Sequence, residues 1–181
     1  MRANLLRETR RLLLRPPLRA DAQEIFERYA SDPAVTRYLS WPTHATHDDT
    51  SAFIDFSNAE WSRWPAGPYL VFSRQTGALL GSTGLAFETP YRASTGYVFA
   101  RDAWGRGYAT EALLAMVDLA REAGVHRLHA HAHLDHVASR RVLEKGEFVF
   151  EGVLRGHTVF PNLGPAPPDD VASYVRLLGR P

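Results

Sequence analysis

The chain has 181 residues, 45% of them hydrophobic and 23% charged, with a formal net charge of +1 and no cysteine. This composition is typical of a globular protein and predicts a single domain over residues 1–181. The near-neutral charge argues against a dedicated nucleic-acid binder, and the lack of cysteine excludes a disulfide framework and a thiol nucleophile.

Apolar runs in the sequence are too short to span a membrane, and the N-terminal segment lacks the apolar core of a signal peptide. We therefore expect a cytoplasmic protein with no membrane partner. The same segment is rich in arginine, which is compatible with a nucleic-acid arm, a targeting signal or a solvated sheet edge. Because Leu12–Leu14 predicts a strand inside it, we favour the sheet edge for Arg2, Arg7, Arg10, Arg11, Arg15 and Arg19.

The first third of the chain predicts one short strand and two helices. The strand covers Leu12–Arg15 and ends at prolines that cannot donate to a ladder. Asp21 is a suitable N-cap for a helix that reaches about Ala30, and Asp32–Pro33 then breaks it. A second helix is predicted to begin at Thr46, ahead of apolar residues at helical spacing.

Strands dominate the rest of the chain, with two further helices. A hairpin is predicted from Tyr69–Arg74 and Leu79–Phe87, followed by a strand at Thr95–Ala100 and a helix that ends at Gly124. The remaining predicted elements are a strand at Arg127–Leu134, a helix at Val137–Lys145 and strands at Phe148–Thr158 and Val171–Leu178. This order predicts an α+β sheet domain with one central helix.

A glycine-rich turn joins the strand at Thr95–Ala100 to that central helix. Its sequence is WGRGYATE, over Trp104–Glu111. Glycines at a helix N-terminus let the backbone approach a ligand, and the free amides of the first turn favour an anion, most often a phosphate. The turn is neither a Walker loop nor a dinucleotide fingerprint, and a turn that only lets the helix dock remains an alternative.

Several segments in fixed order carry a family resemblance. The chain resembles the GNAT acyltransferases and, within them, the RimJ/RimL branch of N-terminal amino acetyltransferases. The residues that carry it are Arg11–Pro16 (RLLLRP), Asp32–Leu39 (DPAVTRYL), Gly96–Phe99 (GYVF), Trp104–Ala112 (WGRGYATEA), Val125–Leu128 (VHRL) and Ala138–Lys145 (ASRRVLEK). The resemblance covers nearly the whole chain.

The resemblance implies a mixed, mostly antiparallel sheet of about six to seven strands with about four helices. It also implies a V-shaped splay between the fourth and fifth predicted strands, Thr95–Ala100 and Arg127–Leu134. The splay would form a cleft for acetyl-CoA, with coenzyme A as product. No metal is expected.

By the same resemblance, the amides around Arg106, Gly107, Ala109 and Thr110 hold the cofactor pyrophosphate, as the helix dipole also favours. The edge formed by Val98, Phe99 and Ala100 would pair with the pantetheine arm. An amide near Phe99 would stabilise the oxyanion of acyl transfer. His136 stands where the family usually has Asn beside that arm.

Ser139 occupies the position of a family serine next to the cofactor sulfur, where its hydroxyl could donate a hydrogen bond to the departing thiolate and lower the leaving-group barrier. The alternative is a serine that only bonds the backbone at the helix start. Tyr97 and Tyr108, both beside the loop, are less favoured proton donors, because such aromatic residues more often serve packing.

The general base is less clear, because many members have Glu in Glu-x-Gly-Tyr where this chain has Ser94. Substitutes are Glu88 and the alternating imidazoles of His129, His131 and His133, which share one strand face. We take Glu88 and His131 as the candidates. A zinc site or a plain polar face are alternatives for the histidines.

The expected reaction is direct attack of a primary amine on acetyl-CoA in a ternary complex. A protein N-terminal α-amine is the first acceptor, and a small amine such as an antibiotic, polyamine or amino-acid derivative is the alternative. A coenzyme A sensor without turnover is an alternative function. A homodimer is a further expectation. Aromatic residues that could wall the acceptor pocket, or belong to the core, are Tyr38, Trp41, Trp61 and Trp64.

Overall fold

A computed structural model of the chain describes residues 5–179, so Arg2 of the predicted arginine cluster lies outside the described range. Its strands are β1 (Arg7–Glu8), β2 (Leu12–Arg15), β3 (Pro68–Ser73), β4 (Leu79–Thr89), β5 (Arg92–Phe99), β6 (Arg127–His133), β7 (Val149–Thr158) and β8 (Asp169–Leu177). They form one sheet in the order β1-β2-β3-β4-β5-β6-β8-β7. Every neighbouring pair is antiparallel except β5 and β6. The predicted mixed, mostly antiparallel α+β sheet is confirmed.

Within residues 5–179 the α-helices are α1 (Ala22–Ile25), α2 (Pro33–Thr36), α3 (His47–Arg63), α4 (Tyr108–Glu122) and α5 (Val137–Lys145). The extra helix relative to the prediction is α2, which lies where a break was expected. The Asp32 side chain accepts a hydrogen bond from the amide of Ala34, and Pro33 occupies the first helical position. Proline suits that position because it has no amide to satisfy, so this pair starts a helix as well as ending one.

The extra strand is β1, in the arginine-rich segment. Arg7 lies opposite Leu14 and Glu8 opposite Leu13 of β2. The segment is therefore part of the sheet edge, as the prediction favoured.

Asp21 does not cap α1 in the way predicted. Its carboxylate accepts hydrogen bonds from the Leu18 amide and from the guanidinium of Arg15. The helix reaches Ala30, as expected, but Phe26–Ala30 has the wider π-type winding, with the Ser31 amide bonded to the Phe26 carbonyl.

The apolar core lies on both faces of the sheet, as the alternation along β3 demonstrates. Tyr69 and Val71 belong to a buried cluster with the inner face of α4, whereas Leu70 and Phe72 belong to a second cluster with α1 and α3. Successive strand residues point to opposite faces, so α4 covers one face and α1 and α3 cover the other.

The sheet opens between β5 and β6. The parallel pairing covers only Arg92–Ser94 on β5 and Arg127–His129 on β6. Beyond Ser94 and His129, β5 runs on to Phe99 and β6 to His133 without pairing with each other, so the two strands diverge. This is the predicted splay, and it leaves an unpaired strand edge beside the N-terminus of α4.

Candidate active site

The glycine turn has the backbone geometry of an anion site. Gly105 and Gly107 have φ angles of 73° and 76°, the left-handed region that favours glycine. The backbone amide of Glu111 is the first in α4 to donate a hydrogen bond along the helix, to the carbonyl of Gly107. No acceptor within residues 5–179 meets the amides of Tyr108, Ala109 or Thr110. These three donors and the positive end of the α4 dipole are therefore free for a ligand.

A half-buried ion pair between Arg11 and Glu111 holds the glycine turn in place. One oxygen of Glu111 accepts hydrogen bonds from the Thr9 hydroxyl (2.6 Å) and the Arg11 amide (2.8 Å), and the other accepts from Arg11 Nε (2.6 Å). Arg11 Nη1 then donates to the carbonyl of Arg106 (2.9 Å). Burial raises the pKa of Glu111, but these hydrogen bonds outweigh it and the pKa is lowered.

Sequence analysis missed this pair. Its only sequence signal is an acidic residue in the first turn of a helix, which is a common feature with no partner visible in the sequence. The Arg106 side chain, in the turn whose amides were predicted to hold the pyrophosphate, is exposed and has no partner within the described residues.

The opening between β5 and β6 beyond Ser94 and His129 is called the gap below. The free edge of β5 presents the backbone groups of alternate residues to this gap. The Ala100 amide donates to the Leu80 carbonyl of β4 (2.8 Å). Backbone groups alternate sides along an antiparallel strand, so Val98 and Ala100 face β4, whereas Tyr97 and Phe99 face the gap. The Phe99 carbonyl accepts a hydrogen bond from Trp104 Nε1 (2.7 Å).

This geometry corrects the predicted role of Ala100, because its amide is already used by the sheet. Val98 contributes its side chain to the cavity described below. The Phe99 amide faces the gap, as its predicted role in stabilising the oxyanion requires.

Ser139 and Tyr97 form a hydroxyl pair where the gap meets α5. Tyr97 Oη lies 3.0 Å from Ser139 Oγ and also donates to the Ser139 carbonyl (3.0 Å). Burial raises the pKa of Tyr97, so its hydroxyl stays protonated. The Ser139 hydroxyl therefore contacts a partner across the gap, and Tyr97, predicted mainly as packing, contributes a polar group.

A cavity of about 940 Å³ opens from the gap. Tyr97, Ser139 and His136 lie at one end, and Tyr38 and Trp41 belong to its wall. Helix α3 contributes a face with i, i+3, i+4, i+7 spacing, namely Asp49, Ala52, Phe53 and Phe56.

Two of the four predicted wall aromatics lie elsewhere. Trp61 packs edge-on against Tyr69 and donates to the Pro68 carbonyl, and Trp64 stacks on Phe87. Trp61 and Trp64 are therefore core residues, which was the alternative to a place in the pocket wall.

Asn162 ties the segment that carries Trp41 to the loop between β7 and β8. Its Oδ1 accepts from the amide (2.8 Å) and hydroxyl (3.1 Å) of Thr43. Its Nδ2 donates to the carbonyls of Thr36 (2.8 Å) and Trp41 (2.9 Å). The role of Asn162 was not predicted from the sequence.

The structure separates Glu88 from Ser139. Glu88 lines a second, smaller pocket of about 360 Å³ and is bound by Arg92 Nε (2.5 Å) and His129 Nε2 (3.1 Å). Burial lowers the pKa of His129 despite that carboxylate. Glu88 is absent from the wall of the larger cavity.

His131 lines both pockets. Its ring centre lies 5.2 Å from that of His129 and 4.7 Å from that of His157. Desolvation of the ring and these neighbouring imidazoles lower the pKa of His131 to about 4, although the residue as a whole is exposed.

Two further histidines of the cavity stack on one tyrosine. The ring of Tyr38 lies between those of His133 and His136, with both centre-to-centre distances at 4.9 Å. Burial, and then His133, lower the pKa of His136. Residues 5–179 contain no group of three or more His, Asp or Glu side chains arranged to hold a metal.

A family model for the acetyltransferase (GNAT) domain matches residues 11–149. This chain belongs to the GNAT acetyltransferase family. The protein is therefore an acyltransferase, with the V-shaped opening between β5 and β6 at its centre.

Known relatives and solved structures agree with this family. The chain is 31% identical over 151 residues to the uncharacterised N-acetyltransferase YoaA of Bacillus subtilis, covering 82% of this chain and 85% of that protein. A ribosomal L7/L12 α-N-protein acetyltransferase, RimL, in complex with coenzyme A has a TM-score of 0.81 at 22% identity, covering 94% and 96% of the two chains. Spermidine N-acetyltransferase from Vibrio cholerae, with coenzyme A and spermine, has a TM-score of 0.76 at 18% identity, covering 92% and 95%.

The two solved structures share the fold with this GNAT acetyltransferase and differ from each other in acceptor. None of the helices in residues 5–179 is both long and apolar enough to cross a membrane.

Proposed function

We propose that this GNAT acetyltransferase moves the acetyl group of acetyl-CoA to a primary amine by direct attack in a ternary complex. The observation that carries the proposal is the arrangement along the β5–β6 gap. Free amides of α4 lie at one end, and the Tyr97–Ser139 hydroxyl pair opens into the large cavity at the other.

The proposed cofactor site is the glycine turn together with the free edge of β5. The amides of Tyr108, Ala109 and Thr110 would bind the pyrophosphate, with Gly107 leaving room for its approach. Arg106 would add charge from solvent, and the Val98 side chain would contact the pantetheine arm. His136, stacked on Tyr38, would border the same arm.

The chemical step has two proposed contributors. The Phe99 amide would donate to the thioester oxygen as negative charge develops there. The Ser139 hydroxyl would donate a hydrogen bond to the departing thiolate, and Tyr97 would orient that hydroxyl through the 3.0 Å contact.

His131 is the proposed proton acceptor for the amine, because it borders both pockets. A pKa of about 4 makes it a weak base that passes the proton on to solvent rather than keeping it. The proposed role of Glu88 is to hold His129 beside His131 through the 3.1 Å contact.

A protein N-terminal α-amine is the first proposed acceptor, in line with the RimL neighbour, and a small amine is the second, in line with the spermidine neighbour. A homodimer and a single domain over residues 1–181 stay predictions.

The test is calorimetric titration with acetyl-CoA, followed by a thiol-release assay with a mixture of peptides and small amines. Binding with thiol release is the expected result. Binding without release from any amine would favour a coenzyme A sensor, and a lack of binding would overturn the cofactor site.

A matched pair of glycine variants sharpens the cofactor test. Gly107→Val and Gly77→Val both place a Cβ at a φ near +75°, in open space at Gly77 and in ordinary van der Waals contact with Arg11 Nη2 (3.5 Å) at Gly107. Both should lose similar stability, but only Gly107→Val should weaken acetyl-CoA binding, by about 10-fold or more. Equal affinities for acetyl-CoA would remove the pyrophosphate role of the turn.

A further inference from the structure

The large cavity is nearly free of charge. Among its described lining residues there is no Lys, Arg or Glu, and Asp49 is the sole carboxylate. Asp49 Oδ2 already accepts hydrogen bonds from the amides of Ala45 and Thr46, both at 2.9 Å, at the start of α3. Among these residues a second ammonium on the acceptor would find this one carboxylate, already engaged through one of its oxygens, and an acceptor carboxylate would find no cation.

The cavity also lacks a strong base. Its titratable wall groups besides the tyrosines are Asp49, His44, His131, His133 and His136. Burial lowers the pKa of His44, His131 and His136, so these imidazoles are neutral and weakly basic near pH 7. Ser94, which also lines the cavity, stands where many family members have Glu.

Without a strong base, the acceptor has to arrive partly deprotonated. An α-amine with a pKa near 8 is about one-tenth neutral at pH 7, whereas an alkylamine with a pKa near 10.4 is neutral in fewer than about one molecule in a thousand. The cavity therefore favours α-amines by about two orders of magnitude before any contact is counted.

The α3 side of the cavity presents apolar surface to solvent. Phe56 is 55% exposed, and Ala52 beside it is also exposed. Phe53 and Trp41 extend the same wall. An exposed apolar surface at the rim of a substrate cavity is typical of a site that buries an apolar group of its ligand.

We infer that the acceptor is an α-amine, free or at a peptide N-terminus, whose neighbouring side chain is apolar and uncharged. This inference rests on the proposed acetyl transfer and narrows its acceptor. Polyamines and lysine side chains are then poor acceptors, because each brings a strongly basic amine or a second charge.

An isosteric pair of acceptors tests the charge argument. L-norleucinamide and L-lysinamide have side chains of similar length that end in a methyl group and an ammonium, respectively. At pH 7 and saturating acetyl-CoA, kcat/KM for α-acetylation should be at least about 10-fold higher for norleucinamide. Mass spectrometry assigns the acetylated nitrogen, and spermidine should react more slowly than either.

Further arms of the same assay distinguish the two sources of an α-amine. L-phenylalaninamide represents the free amine, and a tripeptide amide that begins with phenylalanine represents the peptide N-terminus. Activity on either one supports the inference, and the ratio identifies the source. A preference for lysinamide or spermidine would overturn it.

Two variants of α3 test the wall directly. Phe56→Ala should lower kcat/KM for phenylalaninamide about 10-fold and leave alaninamide nearly unchanged, whereas Tyr91→Ala, at a residue that is 62% exposed outside the cavity, should change neither. Ala52→Glu should raise the lysinamide to norleucinamide ratio about 10-fold, and Asn58→Glu, outside the cavity wall, should not.

The failures of the two proposals look different. If acetyl-CoA binds and no amine releases thiol, the proposed function itself fails and the acceptor inference falls with it. If amines release thiol but Phe56→Ala and Ala52→Glu leave both ratios unchanged, the acetyl transfer stands and the acceptor inference alone is overturned.

Discussion

The two ends of the β5–β6 gap are built in different ways. The proposed cofactor end is formed by one continuous segment, β5, the glycine turn and α4, and is tied to the N-terminal strands by the Arg11–Glu111 ion pair. The proposed acceptor end is assembled from the α2–α3 segment, α3, β6 and the β7–β8 loop, and is tied together by neutral hydrogen bonds of Asn162. Charge and backbone geometry thus characterise the proposed cofactor end, whereas apolar shape characterises the proposed acceptor end.

The comparison explains why a family can keep one cofactor and change its acceptor. A pyrophosphate site needs backbone amides and a helix terminus, which local sequence supplies. An acceptor wall needs side chains from segments that are distant in sequence, and these can change without disturbing the glycine turn.

The largest effect is expected at the Tyr97–Ser139 hydroxyl pair. Ser139→Ala removes the proposed hydrogen-bond donor to the departing thiolate and should lower kcat about 100-fold, with little change in the Kd of acetyl-CoA. Tyr97→Phe keeps the ring and should lower kcat less. A stopped-flow or steady-state thiol-release assay measures both values of kcat. An unaffected kcat for Ser139→Ala would contradict the proposed contact of Ser139 with the thiolate.

A smaller effect, confined to the cofactor end, is expected from Glu111→Gln. The change keeps the shape but removes the charge that holds Arg11, whose guanidinium fixes the Arg106 carbonyl. The Kd of acetyl-CoA should rise about 10-fold, because hydrogen bonds to a charged group contribute about 1.5–3 kcal/mol.

Glu122→Gln is the matched control for that variant. It breaks the ion pair with Arg7 at the other end of α4, at a distance of 2.7 Å in the intact protein. Calorimetry should find unchanged acetyl-CoA affinity there. Equal weakening by both variants would mean that α4 as a whole, rather than the turn, was loosened.

A comparable effect on the acceptor end alone is expected from Asn162→Ala. Loss of the bonds to Thr36, Trp41 and Thr43 should let that segment move and raise the acceptor KM about 5- to 10-fold, with the Kd of acetyl-CoA unchanged. Asn162→Asp retains Oδ1 and should fall between wild type and Asn162→Ala. A rise in the Kd of acetyl-CoA would show that the two ends are not independent.

The smallest effect concerns pH. The pKa of His131 is near 6.5 in the unfolded chain and about 4 in the folded protein. Its contribution to the free energy of unfolding is therefore fully present above pH 6.5 and declines as the pH falls towards 4. His131→Asn should flatten this decline in the thermal unfolding midpoint. His47→Asn, at an exposed histidine away from the cavity, should leave the decline intact.

Local patterns predicted most of the elements. Helix α5 covers the predicted Val137–Lys145, and Gly124 follows α4 in the left-handed conformation expected of a C-terminal glycine. The helix break predicted at Asp32–Pro33 is confirmed, but the short helix α2 that begins there was not predicted, because the same dipeptide that ends one helix can begin another. Alternation also placed the histidines of β6 on one face, where the rings of His129 and His131 are neighbours.

Pairings between distant residues were beyond any local pattern. Nothing within a few residues of Glu111, Asn162 or Tyr97 indicates Arg11, Thr43 or Ser139 as a partner. The same is true of Glu88, whose carboxylate was a reasonable candidate base until the fold directed it to His129 in a separate pocket.

The sequence by itself therefore determined the family, the α+β sheet and the position of the glycine turn, because helix caps, strand alternation and glycine conformations depend on neighbouring residues. Only the tertiary structure decided which hydroxyl meets Ser139, which carboxylate stays outside the cavity and which aromatics form its wall. Those facts depend on how β5 and β6 diverge and on what packs over the gap. Contacts of that kind join residues that are far apart in the chain, so no local pattern encodes them.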